Sequence, residues 1–468
     1  MANSKKITFI GGGSYQWVPP LFRDIAVNEH LQDIQFVLHD IDPQRSQKMA
    51  DVCQIVGRKL GSSIAVETED DLDHAISGAD AVILCISTGG LDAMEHDIEI
   101  PKKYGIYQPV GDSTGPGGIS RTLRNVPVVI DLARRMETLC PDAWLINLTN
   151  PMNQVVRTVQ QVSRIKVIGL CHEYMSFMGT VQHLLGLKDW EREVSSTIVG
   201  INHFAWITEF KVHGQDGLQL LRERMNHWEL SAEANGANAV NPSHTLSKNR
   251  IKSSLFHVHG VVPYPGDRHL AEFFPYFLSE KNGHGADYGV KLTSIEERRT
   301  TWMGWYTERI ARWTNDSPDS VPRQPSNESL APILAALVSN GPATVQPATM
   351  PNLGQVAELS LSSSVETIVT FANGLASPHA GGSLPPSVLA LVQKHSLNQD
   401  LMVEAAIEGS RAKALQAMLA DPLNNNNDFR EIETMLDELL QANASLLPQF
   451  LPQAVRNGSH RAEVLVEA

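Results

Sequence analysis

The chain has 468 residues, of which 42% are hydrophobic and 19% are charged, and its formal net charge at pH 7 is −14. Such a length exceeds what one small hydrophobic core usually serves, so we expect two lobes. The negative charge disfavours nucleic acid and anionic membrane surfaces as main partners, and no stretch is apolar for long enough to span a bilayer.

Short apolar runs alternate with amphipathic segments over the first third of the chain. This alternation is typical of a parallel sheet with crossover helices. We therefore predict an α/β protein whose first domain, residues 1–200, is a Rossmann-like doubly wound parallel sheet. Its predicted strands are Ile7–Ile10, Ile34–Leu38, Ala81–Ile86, Ala143–Ile146 and Lys166–Gly169.

The second half of the chain mixes extended and helical patterns, which predicts an α+β domain over residues 201–450. A polar stretch at 214–254 is expected to be helix and loop, and a Gly/Pro/Ser-rich link at 374–387 interrupts the pattern. The tail, residues 451–468, is expected to be mobile. The predicted elements are an extended segment at Ile201–Val212, a strand at Val365–Phe371, and helices at Ala331–Val338 and Val403–Leu419.

A glycine cluster that contains Gly11 and Gly13 follows the first predicted strand, and Ser14 comes directly after it. Glycine permits positive φ and lets backbone N–H groups approach a pyrophosphate at a helix N-terminus. After the second strand comes Asp40, whose carboxylate can accept both hydroxyls of an adenosine ribose and would repel the extra phosphate of NADP. A glycine cluster alone would also fit a tight turn. The first strand, the glycine cluster, the second strand and its acid together predict NAD binding. Ser87, which follows a later strand, is predicted to be a further NAD contact.

The four cysteines lack the paired short spacings of a disulfide framework. A reducing, cytoplasmic setting is therefore expected. The N-terminal segment before the first strand is too short for the apolar region of a signal peptide, which favours the same location. The cysteines are Cys53, Cys85, Cys140 and Cys171.

Four further segments, in order along the chain, resemble the motifs of glycoside hydrolase family 4. They are a Thr-Gly-Pro-Gly-Gly loop with its arginine helix at Gly111–Arg124, an Asn-Pro motif at Asn147–Met152, a cysteine signature at Gly169–Tyr174, and a histidine segment at Gly200–His203. With the glycine cluster, the resemblance covers most of the chain. It implies an oligomeric enzyme, a dimer or a tetramer, whose C-terminal lobe is like that of lactate and malate dehydrogenases.

The resemblance also implies an unusual glycosidase chemistry that does not use two carboxylates. NAD would take a hydride from C3 of the sugar, and the ketone would make the C2 proton acidic. Elimination of the C1 substituent, addition of water and return of the hydride would complete the cycle. Cys171 and His203 would hold a divalent metal, usually Mn²⁺, although iron, cobalt or nickel would suit a thiolate ligand. Otherwise Cys171 is a buried hydrophobe and His203 an ordinary structural histidine.

Other site residues follow from these motifs. Asn150 is expected to contact a sugar hydroxyl, or else to cap the next helix. Asp112 would assist metal-bound water or the leaving group, or else form a turn. Arg121 is a candidate substrate contact. His172 is the candidate proton donor to the leaving group, and Glu173 would hold that histidine or contact a hydroxyl.

The loop Val262–Pro275 supplies the candidates for the C2 base and for an anion site. Asp267 is preferred as the base because it is ionised without help, and Tyr264 is second because a tyrosine needs a lowered pKa. Arg268 is expected to hold an anionic sugar through paired hydrogen bonds. Alternatively, Arg268 pairs with Glu272 one helical turn away.

The cysteine signature Cys-His-Glu resembles the α-galacturonidase branch of the family, so an α-galacturonide is the favoured substrate. A sulfoquinovoside would suit the same arginine, and a neutral α-galactoside or α-glucoside is a further alternative. From another class, a 2-hydroxy-acid dehydrogenase of the lactate/malate type shares the opening strand, glycines and acid. Such an enzyme would not need Cys171 and His203 as a metal pair.

Overall fold

The computed structural model describes residues 4–224, 249–324, 326 and 328–450. Within these ranges, thirteen strands belong to one sheet. The strands are β1 (Lys5–Ile10), β2 (Ile34–His39), β3 (Ala65–Thr68), β4 (Ala81–Leu84), β5 (Trp144–Asn147), β6 (Lys166–Gly169), β7 (Val194–Ile201), β8 (Phe204–Val212), β9 (Gln215–Asp216), β10 (Val262–Pro263), β11 (Thr344–Pro351), β12 (Ser364–Ala372) and β13 (Leu375–Pro378).

Helices connect and cover these strands. The α-helices are α1 (Val18–Ala26), α2 (Pro43–Leu60), α3 (Leu72–Ile76), α4 (Gly90–Lys102), α5 (Gly115–Leu139), α6 (Met152–Val162), α7 (Glu173–Leu185), α8 (Trp190–Glu193), α9 (Gly217–Arg224), α10 (Arg250–His259), α11 (Asp267–Ala271), α12 (Ile295–Glu297), α13 (Met303–Thr314), α14 (Leu330–Val338), α15 (Pro386–Glu408), α16 (Arg411–Ala420) and α17 (Phe429–Ala442). A π-helical turn, Arg298–Trp302, joins α12 to α13.

The first six strands are parallel and lie in the order β3-β2-β1-β4-β5-β6. This is the strand order of a doubly wound dinucleotide-binding sheet. Beyond β6 the sheet continues with antiparallel strands β11, β12, β7, β8 and β10. The predicted combination of a Rossmann-like sheet with an α+β region is therefore confirmed.

Strand β4 shows why the parallel half is buried on both faces. Ala81 and Ile83 point into one hydrophobic cluster, which contains residues of α1, α2 and α14. Val82 and Leu84 point into another cluster, formed with α5 and α6. Since alternate side chains of a strand point to opposite faces, a continuous apolar run is what a strand between two helical layers requires.

Two predicted elements are each broken into two. The segment Ile201–Val212 is a hairpin rather than one strand, because Asn202 and His203 form a turn in which His203 has φ 64°. The helix predicted over Val403–Leu419 is interrupted where Gly409 ends α15 at φ 65° and Ser410 caps α16. Short polar signals inside apolar patterns mark both breaks.

Six of the thirteen described strands were not predicted, namely β3, β7, β9, β10, β11 and β13. Strand β3 is short and half exposed, so it lacks a buried apolar run. Strand β13 lies within the link predicted at 374–387 and pairs with β12. The domain boundary predicted between residues 200 and 201 falls inside the β7–β8 hairpin. The predicted tail and most of the polar stretch at 214–254 lie outside the described residues.

None of the described helices is long and apolar enough to cross a membrane.

His395 of α15 makes the fold sensitive to acid. Its buried ring lies 4.8 Å from the ring of Phe273 and 5.6 Å from that of Phe204 (centroid distances). Burial, helped by the charge of Lys394, lowers the pKa of His395 to about 3. In the unfolded chain this pKa is about 6.5, so the unfolded state binds more protons between these values and stability is lost as pH falls below about 6.5.

We expect His395→Leu to lose less stability than the wild type on going from pH 7 to pH 5, by about 2 kcal/mol. Urea unfolding midpoints of both proteins at the two pH values measure this difference. Parallel pH dependence in the two proteins would contradict it.

Candidate active site

One cavity of about 330 Å³ opens at the carboxyl ends of the parallel strands. Ser14 reaches it from the loop after β1, Ser87 from the loop after β4, Asn150 from the loop after β5, and Cys171 and His172 from the loop after β6. The carboxyl edge of a doubly wound sheet is where its ligands bind. The cavity is therefore the candidate active site.

Other predicted site residues reach this cavity from outside the parallel strands. Asp112 lies in the loop before α5, Arg121 lies on α5, His203 lies in the β7–β8 turn, and Arg268 lies on α11. The remaining predicted site residues do not line the cavity; they are Gly11, Gly13, Asp40, Glu173, Tyr264 and Asp267.

Four side chains with metal-ligand atoms converge in the cavity. Cys171 Sγ lies 3.6 Å from His203 Nε2. Ligand atoms of Asp112, His203 and His269 lie within 4.8 Å of one another, and the two histidine rings are stacked with centroids 3.6 Å apart. Ligand atoms lie about 2.0–2.3 Å from a bound transition metal, so these spacings suit one ion.

Hydrogen bonds prepare His203 to act as a ligand. Ser113 Oγ donates to Asp112 Oδ1 over 2.7 Å and lies 2.7 Å from His203 Nδ1. Because a hydroxyl has one proton, Nδ1 must be the donor in the second bond. In the neutral imidazole Nε2 is then the unprotonated nitrogen, and it faces Cys171. A partner at the second ring nitrogen is what orients metal-binding histidines.

The charges of the cluster fit a cation. Burial by itself would raise the pKa of Asp112, but His269, His203 and Arg121 lower it to about 2. The carboxylate is therefore ionised at neutral pH. Burial raises the pKa of the Cys171 thiol well above its usual value, and the nearby Glu173 and Glu366 add to this effect. A divalent ion is the charge that would hold this sulfur as a thiolate.

Asn150 presents an acceptor to the cavity. Its Nδ2 donates to Asp112 Oδ2 over 3.2 Å, whereas its Oδ1 is buried without a hydrogen-bond partner among the described residues. A buried amide oxygen without a partner is costly, so a ligand hydroxyl would satisfy it. Arg121 supports this loop, because its Nε donates to the Asn150 carbonyl and its Nη2 to Ser87 Oγ, each over 3.1 Å.

Arg268 and Glu272 hold the loop that carries Asp112 instead of forming the predicted alternative, a simple surface pair. Glu272 Oε1 accepts the N–H groups of Val110 (2.6 Å) and Gly111 (2.8 Å). Arg268 donates to the carbonyl of Pro109, to Thr293 Oγ1 (2.9 Å) and to the carbonyl of Lys291 (3.0 Å). Although Arg268 lines the cavity, two of its nitrogens are already engaged with the protein.

The two candidate bases have other partners. Asp267 is buried, and its carboxylate accepts the N–H groups of Ile251 (3.1 Å) and Lys252 (3.0 Å) at the start of α10. The Tyr264 hydroxyl donates to Glu366 Oε1. Burial, followed by the charge of Glu366, raises the pKa of Tyr264 well above its usual value.

His172 lies between two carboxylates. Its Nδ1 is 3.7 Å from Glu328 Oε1, and its Nε2 is 4.0 Å from Glu173 Oε1. Glu173 also accepts the N–H of Gly266 over 2.6 Å and lies 3.7 Å from His269 Nε2. Glu173 therefore ties the cysteine signature to the loop of Arg268 and His269.

The glycine cluster is packed too tightly for any side chain. Gly11 has φ 92°, and a Cβ there would lie 1.9 Å from the carbonyl oxygen of Cys85. The N–H groups of Gly13 and Asp42 donate to the two oxygens of Asp40 over 2.8 and 3.0 Å. A Cβ at Gly13 would meet the same carboxylate at 2.9 Å. These contacts leave no room for a side chain in the turn between β1 and α1, the turn at which a dinucleotide approaches a doubly wound sheet.

Gly11→Ala should therefore weaken NAD binding at least tenfold and cost on the order of 3 kcal/mol of stability. Gly61→Ala is the matched control: Gly61 also has positive φ, 75°, but no atom in the described part of the chain lies within 4 Å of an added Cβ. The control should lose only about 1 kcal/mol. Calorimetric titration measures the affinity for NAD, and urea unfolding measures the stability of each variant. Equal losses of stability in both variants would mean that the steric clash at Gly11 adds nothing to the backbone strain.

Several site residues were not predicted. His269 adjoins Arg268 in the polar loop Val262–Pro275, and that loop was the only available signal. Glu366 is an acid within the apolar strand β12, a pattern that could have marked it. Arg298, Trp302 and Glu328 also line the cavity, but no sequence pattern connects them to the motifs.

Comparisons with known proteins agree with this architecture. The sequence profile of the family 4 glycosyl hydrolases matches residues 6–187, and the profile of the family 4 C-terminal domain matches residues 198–424. An α-galacturonidase from Bacillus subtilis (strain 168) is 34% identical over 447 residues, which cover 93% of this chain and 97% of that protein.

Solved structures share the fold. The crystal structure of lplD from Bacillus subtilis has a TM-score of 0.84 and 32% identity, covering 93% of this chain and 100% of that chain. A 6-phospho-α-glucosidase from gut microorganisms, in complex with NAD and Mn²⁺, has a TM-score of 0.78 at 20% identity. The match covers 95% of this chain and 99% of that chain.

Proposed function

Because this chain belongs to family 4 of the glycosyl hydrolases, we propose that it is an NAD- and divalent-metal-dependent α-glycosidase with an α-galacturonide as its favoured substrate. The observation that carries the proposal is the convergence of Cys171, His203, Asp112 and His269 in one cavity, at the sheet edge where the glycine cluster lies. A 2-hydroxy-acid dehydrogenase of the lactate/malate type has no use for such a metal site.

The residues of the chain have separable roles in this proposal. Bound here, NAD supplies reversible oxidation at sugar C3 and the metal ion supplies Lewis-acid polarisation of the carbonyl. Asn150 orients a sugar hydroxyl through its unpartnered Oδ1. Asp112 holds Asn150 and remains ionised beside the two histidines. His172, flanked by Glu328 and Glu173, delivers a proton to the leaving group.

For the C2 base we favour Tyr264 over Asp267. The Tyr264 hydroxyl donates to the Glu366 carboxylate, which orients the phenol, and Tyr264 lies close enough to Cys171 for their charges to interact. A cation at Cys171 would oppose the raised pKa of Tyr264 and so favour the phenolate. Asp267 is less suited because both of its oxygens accept backbone N–H groups.

Two observations favour an anionic sugar. The relative with 34% identity is an α-galacturonidase, and it aligns over 93% of this chain. Arginine side chains also line the cavity, among them Arg121, Arg268 and Arg298. A carboxylate or a sulfonate on the sugar would meet these charges, so a sulfoquinovoside is the second candidate. A neutral α-galactoside or α-glucoside would not make this charge interaction.

Release of 4-nitrophenol from its α-D-galacturonide, α-sulfoquinovoside, α-D-galactoside and α-D-glucoside tests the proposal. Each assay contains NAD, Mn²⁺ and a thiol, and NAD and the metal are omitted in turn. We expect hydrolysis of the galacturonide to need both additives without net NADH formation. Hydrolysis of neutral glycosides alone would remove the preference for anions, and reduction of NAD by hydroxy acids without glycoside cleavage would establish the dehydrogenase.

A further inference from the structure

Arg298 lies in the cavity without the hydrogen bonds that occupy its neighbours. Its Nε is buried and has no hydrogen-bond partner, and none of the hydrogen bonds or ion pairs within the described ranges involves its guanidinium. By contrast, Arg121 and Arg268 each use two nitrogens to hold loops. Of these three arginines, Arg298 is the one with no guanidinium nitrogen in a hydrogen bond among the described residues.

The surroundings of Arg298 hold its side chain against an aromatic wall. The guanidinium carbon lies 4.4 Å from the centroid of the Trp302 ring, a cation–π distance. Both residues belong to the π-helical turn Arg298–Trp302. Single π-helical turns are costly and often occur at functional sites. Tyr306, one turn later, also lines the cavity, and its buried hydroxyl has no hydrogen-bond partner in the described part of the chain.

An arginine in this position calls for an anion. Burial lowers the pKa of Arg298 to about 10, and the charges of Arg268 and Arg121 also lower it, so the side chain is still charged at neutral pH. A buried guanidinium nitrogen such as Nε is unfavourable without a hydrogen bond, and a bound group could supply the acceptor. A carboxylate or a sulfonate accepts paired hydrogen bonds from a guanidinium, and a tyrosine hydroxyl can donate a third.

The same cavity contains the metal-ligand cluster, so one ligand can reach both places. Its volume of about 330 Å³ is within the usual range for a small-molecule site. Asp112 of the cluster is close enough to Arg298 for their charges to interact. A sugar whose C2 and C3 oxygens face Cys171 and His203 therefore shares its cavity with Arg298 and Tyr306, which lie within reach of an anionic substituent.

We propose that Arg298, assisted by Tyr306, binds the anionic substituent of the sugar and sets the preference for charged over neutral glycosides. This inference rests on the proposed function. It assigns to Arg298 the role that the sequence predicted for Arg268. Arg268 is then a positioning residue, which acts through the 109–111 loop.

The test compares Arg298→Gln with Arg299→Gln. Arg299 is the neighbouring residue in the same turn, but it is exposed and pairs with Asp92 and Glu95 outside the cavity. Calorimetry measures the binding of D-galacturonate, sulfoquinovose and D-galactose to each protein loaded with NAD and Mn²⁺. Rates on the matching 4-nitrophenyl glycosides are measured alongside.

We expect Arg298→Gln to weaken galacturonate binding and to lower kcat/KM on the galacturonide, each by about 100-fold. Galactose binding and NAD affinity should change less than about threefold, and Arg298→Lys should restore part of the loss because it restores the charge. Arg299→Gln should behave as the wild type. If the wild type favours sulfoquinovose instead, the same losses should appear with that sugar.

Equal losses on charged and neutral sugars, or weaker NAD binding in Arg298→Gln, would overturn the assignment of Arg298. Failure of the proposed function would appear differently, because the wild type itself would then prefer neutral glycosides or cleave none. The two failures are therefore distinguishable before any variant is compared.

Discussion

Replacing His203 with asparagine should abolish glycoside hydrolysis while leaving the fold intact. His203 is buried and has φ 64°, and asparagine tolerates this left-handed conformation better than alanine does. The variant removes the nitrogen that faces Cys171 Sγ at 3.6 Å and the ring that stacks on His269. We expect kcat/KM to fall by at least about a thousandfold, since the lost ligand supports the Lewis acid.

Binding measurements distinguish this effect from misfolding. Mn²⁺ titration of His203→Asn, followed by the electron paramagnetic resonance signal of the free ion, should show greatly weakened binding, whereas NAD binding should be unchanged. His183→Asn is the matched control, because His183 is exposed on α7. Unchanged Mn²⁺ affinity in His203→Asn would remove His203 from the metal site.

The largest loss of stability is expected from Asp97→Asn. Asp97 and Arg124 are both fully buried and form two parallel hydrogen bonds, Nη1 to Oδ1 over 2.8 Å and Nη2 to Oδ2 over 2.5 Å. The pair ties α4 to α5, the helix that follows the Asp112 loop. Removing one partner leaves a buried charge uncompensated, which typically costs about 3–5 kcal/mol.

The matched control is Asp73→Asn, which breaks a half-exposed pair. The Arg135 and Asp73 side chains are 39% and 48% exposed and lie 2.7 Å apart. Exposed pairs contribute less than about 1 kcal/mol. Urea unfolding of both variants should show a large shift of the midpoint for Asp97→Asn and a small one for Asp73→Asn. Similar shifts would mean that burial does not decide the contribution of this pair.

The sequence indicated part of the site because of where its motifs lie. In a parallel sheet, the carboxyl ends of all strands meet at one edge. Ser14, Ser87, Asn150 and Cys171 follow predicted strands and were predicted as site residues, and all four line one cavity. The family resemblance added Asp112 and His203, which come from outside these strands.

The sequence was less informative where a side chain has competing uses. Asp267 and Arg268 were assigned to chemistry because their residue types suited it. In the folded protein Asp267 instead binds the backbone at the start of α10, and Arg268 binds backbone carbonyls and Thr293. Such partners are distant in the chain or belong to the backbone, so residue type alone does not reveal them.

By itself, the sequence determined the doubly wound sheet and the tight glycine turn, and through the family resemblance it indicated that Cys171 and His203 lie together. These features depend on local patterns, namely apolar runs of strand length, glycine where no Cβ fits, and short motifs at strand ends. Only the tertiary structure decided that His269 joins the cluster and that Glu366 meets Tyr264. It also decided that Arg298 Nε has no hydrogen-bond partner within the described ranges. Each of these facts depends on contacts between segments far apart in the chain, and local patterns carry no information about such contacts.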